Sequence, residues 1–140
     1  MSEGTKTRFR LSFGRYDEQF LEKSWQWLHD PEIKRLTMTP DFTREDQLRW
    51  FARLPEMTDY RIWGISCGGQ PVGALGLKHI LGDRAEYWGY IGERHYWGGG
   101  LGEEMMEFIF VILGGGFTLV SILDYLYEKN GGAQAWEGEK

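Results

Sequence analysis

The 140 residues carry 16 Lys and Arg against 21 Asp and Glu, a formal net charge of −5, which argues against a nucleic-acid-binding protein. Hydrophobic residues make up 41% and aromatics 16%, which excludes a disordered chain and is enough for one globular domain over residues 1–140. The one cysteine, Cys67, cannot form an internal disulfide, the longest apolar run (Phe108 to Leu113) is far too short to span a bilayer, and the N-terminus shows no secretory h-region. A cytoplasmic protein without membrane or nucleic-acid partners is therefore expected.

In chain order, Arg8 to Phe13 alternates and predicts a first strand, ended by Gly14. Asp17 suits the cap of a helix whose Phe20, Leu21, Ser24, Trp25 and Leu28 share a face, closed by His29-Asp30-Pro31. Glu32 to Asp41 reads as a loop or short helix. Thr43-Arg44-Glu45-Asp46 is a capping-box pattern with Asp in the Glu place. It opens a second helix with Leu48, Phe51, Ala52 and Leu54 along one side, bounded by Pro55. Three strands follow: Tyr60 to Ser66, Pro71 to His79, and Glu86 to Ile91. Their turns are Cys67-Gly68-Gly69-Gln70 and Leu81-Gly82-Asp83-Arg84. Leu101, Met105, Phe108 and Ile112 recur at helical spacing, and Leu113-Gly114 ends that helix. Phe117 to Ile122 is the predicted fifth strand. One strand, two helices, then a run of strands is an α+β order.

Between the third of these strands and the last helix lies Trp97-Gly98-Gly99-Gly100-Leu101-Gly102. Glycine lets a ligand approach the backbone and allows φ > 0. The first N–H groups of a helix lack partners within it, and its macrodipole is positive there, so such a loop suits a phosphate or pyrophosphate. No Gly-Lys-Ser/Thr follows, and the G-x-G-x-x-G spacing is absent. Walker A and Rossmann loops are thereby set aside. From the loop alone, an anion site and a plain flexible turn both remain open.

The residues around the loop narrow this. Glu86-Tyr87-Trp88-Gly89-Tyr90-Ile91-Gly92-Glu93, followed by Tyr96-Trp97-Gly98-Gly99-Gly100-Leu101-Gly102, resembles the acetyl-coenzyme A signature of the GNAT superfamily of N-acetyltransferases. The branch it resembles acts on ribosomal-protein amino termini, polyamines and amino sugars. The family loop is written Q/R-x-x-G-x-G/A; Trp97 stands in the first position, and Gly100 and Gly102 in the two glycine positions. The resemblance runs from about Leu11 to Tyr127. It implies a GNAT-like acyl-CoA N-acyltransferase fold, mixed α/β, with a largely antiparallel sheet flanked by helices. The C-terminal part is abbreviated: the usual Asn is absent, and about two helical turns are missing before Tyr125-Leu126-Tyr127-Glu128-Lys129.

The resemblance also implies a chemistry. Acetyl-CoA is the co-substrate, and a small-molecule or peptide primary amine attacks its thioester directly. Gly98, Gly99, Gly100, Leu101, Gly102 and Glu103 would hold the pyrophosphate through backbone N–H groups. Gly99 stands where the family often has a basic residue. Tyr90, Ile91 and Gly92 would carry the pantetheine arm, one N–H polarising the thioester carbonyl. Tyr127 matches the tyrosine that protonates the coenzyme thiolate, with Tyr125 as its rival. Glu86 is the candidate base, directly or through water. Trp27, His29, Arg35, Met38 and Phe42 are candidates to line the acceptor side. His29, His79 and His95 are scattered, so no metal is expected. The shortened end keeps a second reading open, a non-catalytic acyl-CoA-binding or interaction domain. It also leaves the fifth strand poorly covered, which implies a homodimer, possibly segment-swapped.

Overall fold

A computed structural model of the chain describes residues 10–113 and 118–121, the last four by backbone alone. Strand β1 (Leu11–Arg15) is followed by helices α1 (Glu18–Leu28), α2 (Pro31–Thr37) and α3 (Arg44–Arg53). Strands β2 (Tyr60–Cys67), β3 (Gln70–Leu81) and β4 (Arg84–Ile91) form a meander, and α4 (Leu101–Leu113) leads to β5 (Thr118–Ser121). The sheet order is β1-β2-β3-β4-β5. Its first four strands are antiparallel, and β5 runs parallel to β4. The predicted mixed α/β architecture, a largely antiparallel sheet flanked by helices, is the one observed. The predicted stop at Gly114, the abbreviated end, Tyr125 and Tyr127 lie outside the described residues.

Strand alternation sorts the core into two faces. Against α4 lie Ile65, Leu75, Leu77, Tyr87 and Ile91, with Leu101, Met105, Met106 and Ile109 of the helix. Against α1–α3 lie Ala74 and Tyr90, with Tyr16, Phe20, Leu21, Trp27 and Ile33.

The local signals that rest on capping hold. Asp17 accepts from the Gln19 and Phe20 N–H groups at 3.1 and 3.3 Å. Thr43 and Asp46 form the reciprocal capping box, and Asp30 caps α2, so the stretch after His29 begins as a short helix. The signals that rest on apolar count alone shift by a residue. In α1 the buried aromatic is Trp27, while Trp25 is half-buried against Phe42 and His29. In α3 the inward residues are Gln47, Trp50, Phe51 and Leu54, a clean i, i+3, i+4, i+7 set. Leu48 is 48% exposed and Ala52 faces out. Gln47 is tolerated inside because its Nε2 donates to Leu21 O at 3.0 Å. In α4 the stripe is Leu101, Met105 and Ile109, and Ile112 is exposed.

Gly14 does not end β1. It pairs with Gly64 inside the sheet, and Phe20 of α1 lies so close over Gly64 that a Cβ there would fall 2.5 Å from the ring. Gly64 lets α1 approach the sheet, whereas a Cβ on Gly14 would meet nothing within 4 Å.

Candidate active site

The donor side is built by the end of β4. Gly92 N–H donates to Val72 O across the β3–β4 ladder at 2.7 Å. Opposed residues in an antiparallel ladder alternate between bonded and non-bonded pairs. That bond therefore turns the main-chain groups of Tyr90 and Gly92 toward β3, and those of Gly89 and Ile91 toward the β5 side. Among the described residues, β5 pairs with β4 only as far as Glu86. The end of β4 thus presents Ile91 N–H and C=O beyond the last pairing with β5. The carbonyl is engaged: Trp97 Nε1 donates to Ile91 O at 2.8 Å. Of Tyr90, Ile91 and Gly92, it is Ile91 whose N–H faces the gap.

The glycine loop follows within a few residues. Gly98 and Gly100 take φ of 81° and 82°, values that favour glycine. A Cβ on either would meet nothing within 4 Å, so the backbone is open to a ligand from outside. Gly98, Gly99 and Gly100 are exposed, whereas Leu101 and Gly102 are buried and anchor the start of α4. Glu103 N–H turns back to Gly100 O at 3.3 Å. Glu104 accepts the Leu11 N–H at 3.2 Å, tying the helix start to edge strand β1.

Two aromatic and ionic braces fix this corner, and sequence reasoning gave them other roles. Trp27 lies on Gly92, where a Cβ would fall 2.3 Å from its ring. Its Nε1 donates to Glu93 Oε2 at 2.8 Å, and Lys23 Nζ sits 3.5 Å from the same oxygen. Arg94 bonds Asp30 at 2.7 and 2.8 Å, pairs with Glu32, and covers the Trp97 ring at 5.3 Å. The Arg94 guanidinium holds the Asp30 carboxyl below the usual carboxylate range. Trp97 is thereby a brace of the β4 end as well as the first residue of the loop motif.

A cavity of about 450 Å³ lies between α1–α3 and the β2–β4 face. Tyr16, Phe42, Trp50, Tyr60, Trp88 and Tyr90 supply its aromatic walls. Tyr16 and Tyr90 both donate to Ser24 Oγ, at 2.8 and 3.2 Å. Burial pushes the Tyr16 phenol up to about 12 and raises Tyr90 further, so both stay neutral and serve as fixed walls. Of the five residues expected to line the acceptor side, Phe42 does. Trp27 is turned to Gly92, His29 and Met38 are exposed, and Arg35 lies outside the lining. Met38 sits at a left-handed φ of 56° as the C-cap of α2, which directs it outward. Tyr60, Lys78 and Trp88 are lining residues that sequence reasoning missed. Strand alternation could have found them, since the register opposes Tyr60 to Lys78 and Lys78 to Glu86.

Glu86 is on the same face by alternation but is not among the lining residues. Its carboxylate meets His79 Nδ1 at 3.0 Å. It lies about 17 Å of strand from Ile91. Among the described residues, no group of three or more His, Cys, Asp and Glu could hold a metal. Nor is any helix there long and apolar enough to cross a membrane.

The described residues form a four-stranded antiparallel meander with a parallel fifth strand and a glycine loop that opens a helix. The sequence matches the family model for the acetyltransferase (GNAT) domain over residues 10–122. The chain belongs to this family, and its class is that of an N-acetyltransferase. A search of curated protein sequences gives no match. Among solved structures, a domain from Methanocaldococcus jannaschii superposes with a TM-score of 0.66 at 18% identity, covering 76% of this chain and 71% of that one. Spermidine N-acetyltransferase from Vibrio cholerae, in complex with CoA and spermine, gives 0.63 at 13%, covering 74% and 63%. An acetyltransferase from Thermus thermophilus gives 0.62 at 24%, covering 76% and 71%. At these identities the likeness concerns the fold.

Proposed function

We propose that the protein transfers the acetyl group of acetyl-CoA to a primary amine by direct attack, with no covalent enzyme intermediate. The observation that supports this is Ile91 N–H turned away from β3, beyond the last β4–β5 pair among the described residues, next to a glycine loop with open backbone. Bound there, acetyl-CoA supplies an activated acyl group. Residues 98–103 hold its pyrophosphate through main-chain N–H groups, and Tyr90, Ile91 and Gly92 carry its arm. Ile91 N–H polarises the carbonyl, a contribution of the oxyanion-hole kind worth about 10²–10³ in rate. The amine enters from the aromatic cavity and is held near Tyr90. Glu86, the expected base, is paired with His79 and lies too far along β4 from Ile91 for one water to bridge, so the amine gives its proton to solvent. Tyr127, outside the described residues, serves as the acid that protonates the departing thiolate, by its match to the family tyrosine.

The protein is proposed to work in the cytoplasm as a homodimer. Exposed Phe110 and Val111 on α4 support association, and a monomer mass by light scattering would refute it. The function is tested by calorimetry with acetyl-CoA and by thiol release with an amine panel. Binding with turnover of at least one amine is expected. Binding without turnover of any amine would overturn the transferase reading in favour of a non-catalytic acyl-CoA-binding domain.

A further inference from the structure

Most polar groups that line the acceptor cavity are engaged within the protein. Ser24 receives both tyrosine hydroxyls. Gln47 bonds Leu21 O and Arg44. Thr37 bonds Ile33 O and Thr39. The Asp46 carboxylate is held by Thr43 N–H at 3.0 Å and Arg49 at 2.6 Å, so the one acid in the lining is already neutralised. The Trp88 indole N–H is buried without a hydrogen-bond partner among the described residues, and the other exceptions are a pair, Lys78 and Tyr60. Neither has a hydrogen bond or ion pair among the described residues, and both line the cavity. They are directly opposed across β2 and β3, so their side chains stand side by side on one face. Glu86, opposite Lys78 on the other flank, is drawn to His79 and is outside the lining. What the cavity offers a ligand is therefore aromatic surface, one half-buried ammonium, one phenol and the indole N–H of Trp88.

Resting on the reading of this cavity as the acceptor site, we propose that the acceptor is an amine on an apolar or aromatic body that ends in an anionic group, bound by Lys78 and Tyr60. A polyamine does not fit this chemistry, because its second ammonium would face Lys78 and find no available carboxylate. Ala74 and Lys78 both line the cavity and lie four residues apart on β3, about 13 Å. The amine sits at the Tyr90–Ala74 end and the anion at the Lys78 end. A free α-amino acid, with its charges only about three bonds apart, is too short to reach both ends. An ω-amino acid with a ring in between has the needed shape.

The test uses full-length protein with three amines: 2-phenylethylamine, 4-(2-aminoethyl)benzoate and spermidine. Hydrogen bonds to a charged partner predict that kcat/KM for the benzoate exceeds that for the parent amine by about 10-fold or more. In Lys78→Met this ratio should fall to near one, and Tyr60→Phe should lower it partway. Lys34→Met, a lysine outside the cavity, should keep the wild-type ratio. Equal rates for the two aromatic amines, a preference for spermidine, or a ratio that survives Lys78→Met would each overturn the proposal while leaving the transferase reading intact. Calorimetry of 4-(2-aminoethyl)benzoate separates the converse case. Binding to wild type that is lost in Lys78→Met, with no turnover of any amine, supports the anion subsite and refutes catalysis.

Discussion

Trp97→Phe tests the claim that the donor strand is held ready by an indole. The substitution keeps a ring under Arg94 and removes the Nε1 donor that meets Ile91 O at 2.8 Å. Two separate losses follow. Folding stability falls because a partly buried carbonyl loses its partner, a cost of about 1–3 kcal/mol. Donor affinity falls because the Ile91 peptide is no longer fixed in the orientation that presents its N–H to the gap. Ordering one residue's backbone costs about 1–2 kcal/mol, so the Kd for acetyl-CoA should rise about 5- to 30-fold. Urea denaturation reads the first loss and isothermal calorimetry the second. Trp25→Phe is the control. It makes the same change on a half-buried tryptophan that packs against His29 and Phe42, away from β4, and it should leave donor affinity alone. A folded Trp97→Phe protein with lowered stability and unchanged Kd would show that the indole is only core packing.

Other perturbations probe separate parts of the site. Gly100→Val forces a β-branched residue to φ of 82° and puts a side chain where the pyrophosphate is proposed to lie; calorimetry should show acetyl-CoA binding lost, and retained affinity would remove the loop from the donor site. Arg94→Met releases Asp30, whose carboxyl lies below its reference value of 3.8 chiefly through the hydrogen bond to Arg94. A depressed folded value gives stability that is present above 3.8 and lost as pH falls through the folded value. Wild type should therefore be the more stable above about pH 5, with the gap closing in acid, and a pH-independent gap in urea midpoints would contradict this. Gly64→Ala sets a methyl 2.5 Å from the Phe20 ring and should lower stability by about 1–3 kcal/mol through overpacking, read by thermal melting. Tyr127→Phe should slow turnover by about 10²–10⁴-fold with donor binding kept; Tyr125→Phe is its control, and an unchanged rate in Tyr127→Phe ends the assignment.

What the sequence made legible was what local chemistry decides. Asp17 and the Thr43–Asp46 pair marked helix starts because a capping side chain acts on N–H groups within three residues of itself. The Gly68-Gly69 turn was legible because both residues take positive φ, 60° and 84°, as a two-residue hairpin requires. The glycine loop was legible for the same reason. Facing, by contrast, is settled between elements. Counting apolar residues chose Leu48, yet the helix turns Gln47 inward, because Leu21 O on a neighbouring helix accepts its amide. The same count missed that Trp27 is held over the donor strand, since its partners Gly92 and Glu93 lie 65 and 66 positions further on. Gly14 looked like a strand end but pairs with Gly64 inside the sheet, and the need for glycine at 64 appears only when Phe20 is laid over it.

The acceptor side was the least legible for a related reason: its chemistry depends on which polar groups are already engaged. Asp46, Gln47, Ser24 and Thr37 line the cavity, and each is bound to a neighbour in the fold. The net charge of −5 by itself favours a cationic partner. The cavity itself holds a neutralised acid and an unneutralised lysine. A potential summed over the whole chain steers encounter, whereas selection among acceptors acts at the few groups a bound molecule touches. Net charge and acceptor preference can therefore have opposite signs, and at Tyr60 and Lys78 the side-chain inventory argues that they do.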